Sequence, residues 1–361
     1  MRILLAGGGT AGHTSPLIAT ADALRRRRPD VEIVCLGTER GIETRVVPAA
    51  GYRLELVPPV PLPRRLSGDL LRVPVRLRAS VRAARAVVDR FRPDVVVGFG
   101  GYVCTPAYLA ARRAKVPLVV HEGNALPGLA NRLGARFAAV VATSFPGTRL
   151  PKAQFVGLPI RRAISTLDRA ELRELARAHF GLLTDAPTLL VTGGSQGARR
   201  INESVSAAAR DLVAAGIQVL HVKGPLGDVD VTVETAGAAV PYVVVAFVER
   251  MELAYAAADA MVGRAGANSV TESAALGLPT VFVPLPIGNG EQGRNAAAVV
   301  AAGGAMLVDD AAFSADWVRA ELIPLLLDPD RLAAMSRAAA GLIRRDADDA
   351  LADLVISEAE R

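Results

Sequence analysis

The stretches "LLAGGGTAGH" (residues 4–13) and "LLVTGGSQGARRIN" (residues 189–202) share one layout: an apolar run, a glycine-rich turn, then a helical pattern. The glycines let the chain turn tightly. The helix that follows offers unpartnered N–H groups and a partial positive charge to an anion. A strand, a glycine turn and a helix in that order open a doubly wound α/β fold. The layout comes once near the start of the 361-residue chain and again past its middle, so the sequence divides into two such halves.

Outward from the first stretch, "VEIVCLG" (31–37), "DVVVGFG" (94–100), "PLVVH" (117–121) and "AAVVATS" (138–144) read as further strands. Outward from the second, "IQVLHVK" (217–223), "YVVVAF" (242–247), "ADAMVG" (258–263) and "PTVFVP" (279–284) do the same. Their nearly continuous apolar character fits parallel strands covered by helices on both faces. The expected architecture is α/β, with two Rossmann-like domains of doubly wound parallel sheet at residues 1–160 and 161–340. The Pro- and Gly-bearing segment 151–164 reads as the linker, and the charged helical tail 341–361 is able to pack on either domain.

The composition, 51% hydrophobic and 22% charged, is that of a globular chain. The longest uncharged run, 95–111, is broken by glycines and a proline. It falls short of the roughly 20 apolar residues a membrane span takes. No leader pattern opens the sequence, so a soluble protein is expected. Cys35 and Cys104 are expected to be buried, reduced thiols.

The net charge of +6 is concentrated, with nine arginines and two aspartates between Pro61 and Arg92. Such a segment points to an anionic partner. Within it, residues 66–85 mix Leu70, Leu71, Val73 and Val75 with arginines 72, 76, 78, 82 and 85, a surface suited to anionic lipid. Leu77, Val81, Ala84 and Val88 would face a core from the same helix. The segment has no aromatic residue for base stacking, which disfavours nucleic acid.

Gly7, Gly9 and Gly12 spell the dinucleotide fingerprint, but the second strand runs into "VCLGTER", where Glu39 comes late and after a glycine. That acid is badly placed for a ribose. His13 follows the last glycine directly. The helix N-terminus disfavours an imidazolium there, which suits a general base; a capping or packing histidine fits the same position. Thr10 and Thr14 either meet a substrate or cap the helix.

In the second half, 262–296 reads strand, glycine-rich loop, helix, strand, loop and helix. Asn268 or Ser269 is expected to cap the first of these helices. Glu272, in or just after the first turn, is either a dipole-stabilised carboxylate or an acceptor for ribose hydroxyls. Gln292 offers an amide to sugar hydroxyls. Asp228 and Asp230 form a D-x-D that reads as ordinary loop. The four histidines, at 13, 121, 179 and 221, lack metal-ligand spacing. Neither a metal nor a cofactor is expected.

Together these segments resemble the MurG family, the UDP-N-acetylglucosamine transferases of peptidoglycan synthesis. The resemblance rests on "GGTAGHTSP" (8–16), "GFGGYVCTPAYLAA" (98–111), "HEGNALPGLANRLGA" (121–135), "GLPIR" (157–161), "GGSQGARRIN" (193–202), "GRAGANSVTESAALGLP" (263–279) and "EQGRNA" (291–296). It implies the GT-B fold with an interdomain cleft, an N-terminal acceptor domain that docks on the membrane, and a C-terminal UDP-sugar domain. It further implies an inverting transfer of N-acetylglucosamine (GlcNAc) from UDP-GlcNAc to undecaprenyl-diphospho-N-acetylmuramoyl-pentapeptide (lipid I), giving lipid II.

Carried onto this sequence, the resemblance makes His13 and Glu122 the catalytic candidates. Ser195, Gln196, Gly197, Arg264, Glu272, Gln292 and Arg161 become donor-binding, and Thr10, Gly12, His121 and Asn124 acceptor-binding. The implied partners are UDP-GlcNAc, an undecaprenyl-linked acceptor and an anionic membrane surface met through 64–85. The implied location is the cytoplasm, peripheral on the inner membrane face.

Ala11, Thr14, Ser15, Gly123, Leu158, Gly263, Ala265 and Glu291 depart from the family pattern. A related GT-B transferase with another lipid or a natural product as acceptor is therefore an alternative. A sugar-nucleotide epimerase and a non-catalytic UDP-sugar binder are more distant ones.

Overall fold

The structure, a computed structural model, describes residues 1–60, 72–232 and 235–361. The chain divides into two compact units: Met1–Arg161 together with Asp346–Arg361, and Arg162–Arg345.

The first unit contains strands β1 (Arg2–Ala6), β2 (Glu32–Thr38), β3 (Arg53–Val57), β4 (Val95–Gly98), β5 (Leu118–Glu122), β6 (Val140–Thr143) and β7 (Ala153–Phe155). They form one sheet in the order β3-β2-β1-β4-β5-β6-β7, and every pairing is parallel. Successive side chains of a strand point to opposite faces, and here both faces are buried. Leu4 and Ala6 of β1 join Val34, Leu36 and Val96 in one core. Ile3 and Leu5 join Ile33, Cys35, Val95 and Val97 in the other. Leu351, Ala352 and Val355 of the C-terminal helix Ala347–Ala359 belong to that second core, so the chain's tail is part of the first unit. Arg26, on helix α1 (Ala11–Arg27), pairs with Asp348 at 2.6 Å and Asp349 at 2.9 Å along the same contact.

The second unit repeats the plan with β8 (Thr188–Thr192), β9 (Gln218–Val222), β10 (Tyr242–Val245), β11 (Ala260–Gly263), β12 (Thr280–Phe282) and β13 (Ala305–Leu307). Their order is β10-β9-β8-β11-β12-β13, again parallel throughout. In both sheets the strand order reverses between the first strand and the fourth. The loops leaving the C-terminal ends of β1 and β4, and of β8 and β11, therefore open onto the crevice where such folds bind ligands.

Three strands lie outside the runs singled out from sequence: β3, β7 and β13. β7 falls inside 151–164, which is therefore not all linker. Cys35 and Cys104 are free and buried, as expected.

Candidate active site

β1 ends at Ala6, the chain turns through Gly7–Gly9, and α1 begins at Ala11. Thr10 takes the extended N-cap conformation without a side-chain cap, its Oγ1 lying 3.4 Å from His13 Nδ1. Thr14 donates to the Thr10 carbonyl at 3.2 Å, so its hydroxyl is spent within the helix. Gly12 is exposed.

The half-buried His13 ring places Nδ1 3.1 Å from the Gly8 carbonyl oxygen. A carbonyl only accepts, so Nδ1 carries the proton and Nε2 presents its lone pair. The glycine pair after β4 closes on the same ring. Gly100 and Gly101 have φ of 101° and 83°, and a β-carbon at Gly100 would stand 2.9 Å from His13 Cδ2 and 3.0 Å from Nε2. Burial pulls the His13 pKa down, against the pull of the Gly8 carbonyl and of Glu43. The ring is thus poised as a neutral base.

Glu43 escaped the reading of the sequence. Fully buried at the start of helix α2 (Glu43–Ala49), it accepts from Gly9 N–H at 2.8 Å and Thr38 N–H at 2.9 Å. The Thr38 hydroxyl donates to it at 3.0 Å. A β-carbon at Gly8 or Gly41 would run into its carboxylate, and one at Gly37 into its Cγ. The carboxylate held by the first glycine loop is the protein's own. The sequence signal was an acid just after Gly41, at a helix start.

His121 and Glu122 end β5. His121 is fully buried, its Nε2 lying 3.1 Å from Ser144 Oγ and 3.4 Å from the Gly157 carbonyl. Its buried Nδ1 has no partner among the described residues, and burial lowers its pKa to about 4. Glu122 accepts from Asn124 N–H at 2.9 Å, Gly128 N–H at 3.0 Å and Asn131 Nδ2 at 2.9 Å. Burial raises its pKa against those donors. This geometry suits a carboxylate that ties down the loop after β5, with Asn124 in the loop it ties, better than one that moves protons. Tyr108, on helix Cys104–Ala114, completes the cluster by donating to Asn131 Oδ1 at 2.7 Å.

In the second unit, the loop after β8 carries a half-buried Ser195 and an exposed Gln196 into helix Arg199–Ser206. Gly197, at φ 75°, abuts Gly224, at φ 83°; a β-carbon at Gly197 would come within 2.5 Å of the Lys223 carbonyl oxygen. The helix start has no acidic residue in its first turn and no side-chain cap, leaving its N–H groups to a ligand. A cavity of about 300 Å³ opens there, lined by Gly197, Arg199, Arg200, Arg264, Ile287 and Asp310 among others.

Arg264 is less available than its place in the sequence suggests. It donates to the Val283 and Pro284 carbonyls at 3.1 and 3.0 Å and pairs with Asp310. Arg199 is 91% exposed and pairs with Glu203 one turn on at 3.5 Å, a surface pair weak enough for the guanidinium to turn toward an anion at the helix N-terminus. Arg200 and Asp310, both missed in sequence, lie 3.9 Å apart.

Glu272 is buried on helix Ala267–Ala275 and accepts from the Tyr255 hydroxyl at 2.7 Å. The N-cap of that helix is Gly266; neither Asn268 nor Ser269 caps it, since the helix starts before either. Gln292 turns its carbonyl oxygen to Leu285 N–H at 2.9 Å, leaving its NH₂ as the donating side. Arg161 ends the first segment of the first unit and is half-buried.

Asp230 accepts from Thr232 N–H at 3.0 Å and from its hydroxyl at 2.7 Å, an ordinary turn. No cluster of metal-binding side chains occurs among the described residues.

Two family models match the chain, the glycosyltransferase family 28 N-terminal domain over residues 3–143 and its C-terminal domain over 188–351. The chain belongs to glycosyltransferase family 28. Among similar proteins is the UDP-N-acetylglucosamine–N-acetylmuramyl-(pentapeptide) pyrophosphoryl-undecaprenol N-acetylglucosamine transferase of Nocardioides sp., 66% identical over 99% of this chain and 98% of that one. The enzyme of the same name from Streptomyces avermitilis is 56% identical over 98% of each. The crystal structure of Acinetobacter baumannii MurG superposes with a TM-score of 0.78 at 28% identity, covering 99% of both chains. The fold is accordingly GT-B. The two glycine loops differ in kind: the first is filled by the Glu43 carboxylate, and the second borders the cavity at the start of helix Arg199–Ser206.

Proposed function

We propose that this chain transfers N-acetylglucosamine from UDP-GlcNAc to lipid I, with inversion at C1, giving lipid II. The observation that carries the reading is the near full-length identity, 66%, to a relative named for that transfer. The chemistry needs a base for the acceptor proton and stabilisation of the leaving diphosphate, and the transition state has oxocarbenium character. His13 supports the first, because its Nδ1–H is engaged by Gly8 and its Nε2 is left to accept. The start of helix Arg199–Ser206, with Arg199 beside it, supports the second.

In the step itself the acceptor hydroxyl oxygen attacks C1 and its proton passes to His13 Nε2. The bond from C1 to the diphosphate oxygen breaks, and UDP leaves with the electron pair. On the donor side, Glu272 holds the ribose hydroxyls, Gln292 donates to the sugar, and Ser195, Gln196, Gly197, Arg264 and Arg161 border the nucleotide. Arg264 acts there through its ordered loop, since Asp310 already balances its charge. Thr10, Gly12, His121 and Asn124 shape the acceptor side.

Docking on an anionic membrane face belongs to the same reading. Of segment 64–85, residues 64–71 lie outside the described residues. Helix α3 (Val73–Phe91) buries Val81, Ala84 and Val88 and exposes Val75, Arg78 and Arg82. No helix among the described residues is long and apolar enough to cross a membrane. The exposed face would hold the enzyme peripherally where its lipid-linked acceptor lies.

The test is to incubate the protein with UDP-GlcNAc and a short-chain lipid I analogue and read the product by mass. A disaccharide-lipid product with release of UDP is expected. UDP-GlcNAc binding without transfer to this acceptor would overturn the assignment of the acceptor.

A further inference from the structure

The carboxylate buried under the first glycine loop does more than fill space. Glu43 accepts from the N–H of Gly9 at 2.8 Å, while the carbonyl of Gly8 accepts from His13 Nδ1 at 3.1 Å. The Gly8 carbonyl and the Gly9 N–H belong to the same peptide group. A single planar, polarisable amide therefore has a carboxylate on its N–H and an imidazole on its oxygen.

We infer that Glu43 is a positioning residue for His13, coupled to it through the Gly8–Gly9 peptide. Its negative charge polarises the amide, makes the Gly8 oxygen a better acceptor for Nδ1–H, and so favours the tautomer with a free Nε2. When Nε2 takes a proton, the same path steadies the imidazolium. An orienting carboxylate behind a histidine base is a familiar arrangement in hydrolases; here a backbone amide stands between the two. The inference rests on the reading of His13 as the base.

Three features fix the arrangement. Gly8 and Gly41 clear the volume the carboxylate occupies, and Gly37 clears that of the methylene behind it, so a side chain at any of the three would collide with Glu43. Thr38 holds the other carboxylate oxygen with its N–H and hydroxyl, at 2.9 and 3.0 Å, which leaves Oε2 aimed at Gly9. Gly100 and Gly101 leave room for the ring and for the Gly8 carbonyl: a β-carbon at Gly100 would stand 2.9 Å from His13 Cδ2, and one at Gly101 would stand 2.5 Å from the Gly8 oxygen. The titratable groups that bear on the ring among the described residues are Glu43 from α2 and His121 from β5. Burial holds His121 near 4 and hence neutral at working pH, so Glu43 is the charge that matters.

The experiment replaces Glu43→Gln, which keeps the shape and removes the charge, and follows the His13 ring by NMR across pH. The midpoint of His13 is expected to move to lower pH than in the wild type. The acid limb of kcat/KM should move with it, and kcat should fall about tenfold with KM for UDP-GlcNAc unchanged. Glu43→Asp keeps the charge but withdraws it by one methylene; its His13 midpoint is expected between the other two, and it serves alone if Glu43→Gln does not fold. An unchanged His13 midpoint in a folded variant, with activity lost only in step with thermal stability, would overturn the inference and leave the base reading standing. Normal transfer by His13→Gln would overturn the base reading, and with it the positioning role of Glu43 in the transfer, even if the NMR midpoint moved.

Discussion

At the scale of the residue, the chemistry depends on which atom of a side chain is already engaged. His13 is useful because Nδ1 is committed to Gly8. Its pKa is lowered by burial, so the neutral form persists below the ordinary histidine midpoint of 6.5. The active form is the unprotonated one. The kcat/KM profile is therefore expected to be flat above that midpoint and to fall only as pH drops through the lowered value. A limb centred above 6.5 would contradict this environment. On the donor side, the Tyr255 hydroxyl donates to the buried carboxylate of Glu272. A hydrogen bond to a charged group is worth about 1.5–3 kcal/mol. Tyr255→Phe is expected to raise KM for UDP-GlcNAc about tenfold with little change in kcat, which steady-state kinetics at saturating acceptor would measure. His13, Glu272 and Gln292 stood out in the sequence because each lies at a glycine loop or helix start. Glu43 did not, because its role comes from glycines 8, 37 and 41, which only the fold brings round one carboxylate.

Among the elements, what was legible were the strands buried on both faces. β1, β2, β4, β5, β6, β8, β9, β11 and β12 carry the near-continuous apolar runs that such strands need; β10, a half-buried edge, is apolar as well. The three that escaped are outer or short ones. β3 and β7 are the two edges of the first sheet, and β13 is an edge of the second. An edge strand pairs on one side only, and all three residues of β7 are exposed, so its sequence has no reason to be apolar. The glycine turns were legible in kind but not in partner. Gly197 needs its left-handed φ of 75° and its bare Cα because the Lys223 carbonyl packs on it. Gly197→Ala is expected to cost about 1–3 kcal/mol in stability and to weaken UDP binding, read by thermal melting with and without UDP. A melting curve that still rises normally with UDP would show that the loop tolerates the change.

Over the whole molecule, each unit encloses a histidine that is neutral in the fold. His121 lies in the first unit, and His221, held between Tyr242 and Asn202, in the second. Burial lowers both to about 4 from 6.5. Between those pH values the unfolded chain binds protons that the folded chain refuses, so stability falls as pH drops through that window. The slope is about 1.4 kcal/mol per pH unit for each histidine. Denaturant titrations at pH 7 and pH 5 should show the loss in both units. His121→Asn or His221→Asn should remove one histidine's share of the slope. Equal stability at the two pH values would contradict the burial of these rings as neutral groups.

The central claim is that the transfer of the sugar is carried by the base at the first glycine loop while the second loop holds the donor. Rapid-quench single-turnover measurement of sugar transfer by the wild type and by His13→Gln, both saturated with UDP-GlcNAc and lipid I analogue, tests it most directly. A chemical step slowed by roughly a hundredfold or more is expected, with UDP-GlcNAc bound as tightly as before. A chemical step of unchanged rate in His13→Gln would contradict it.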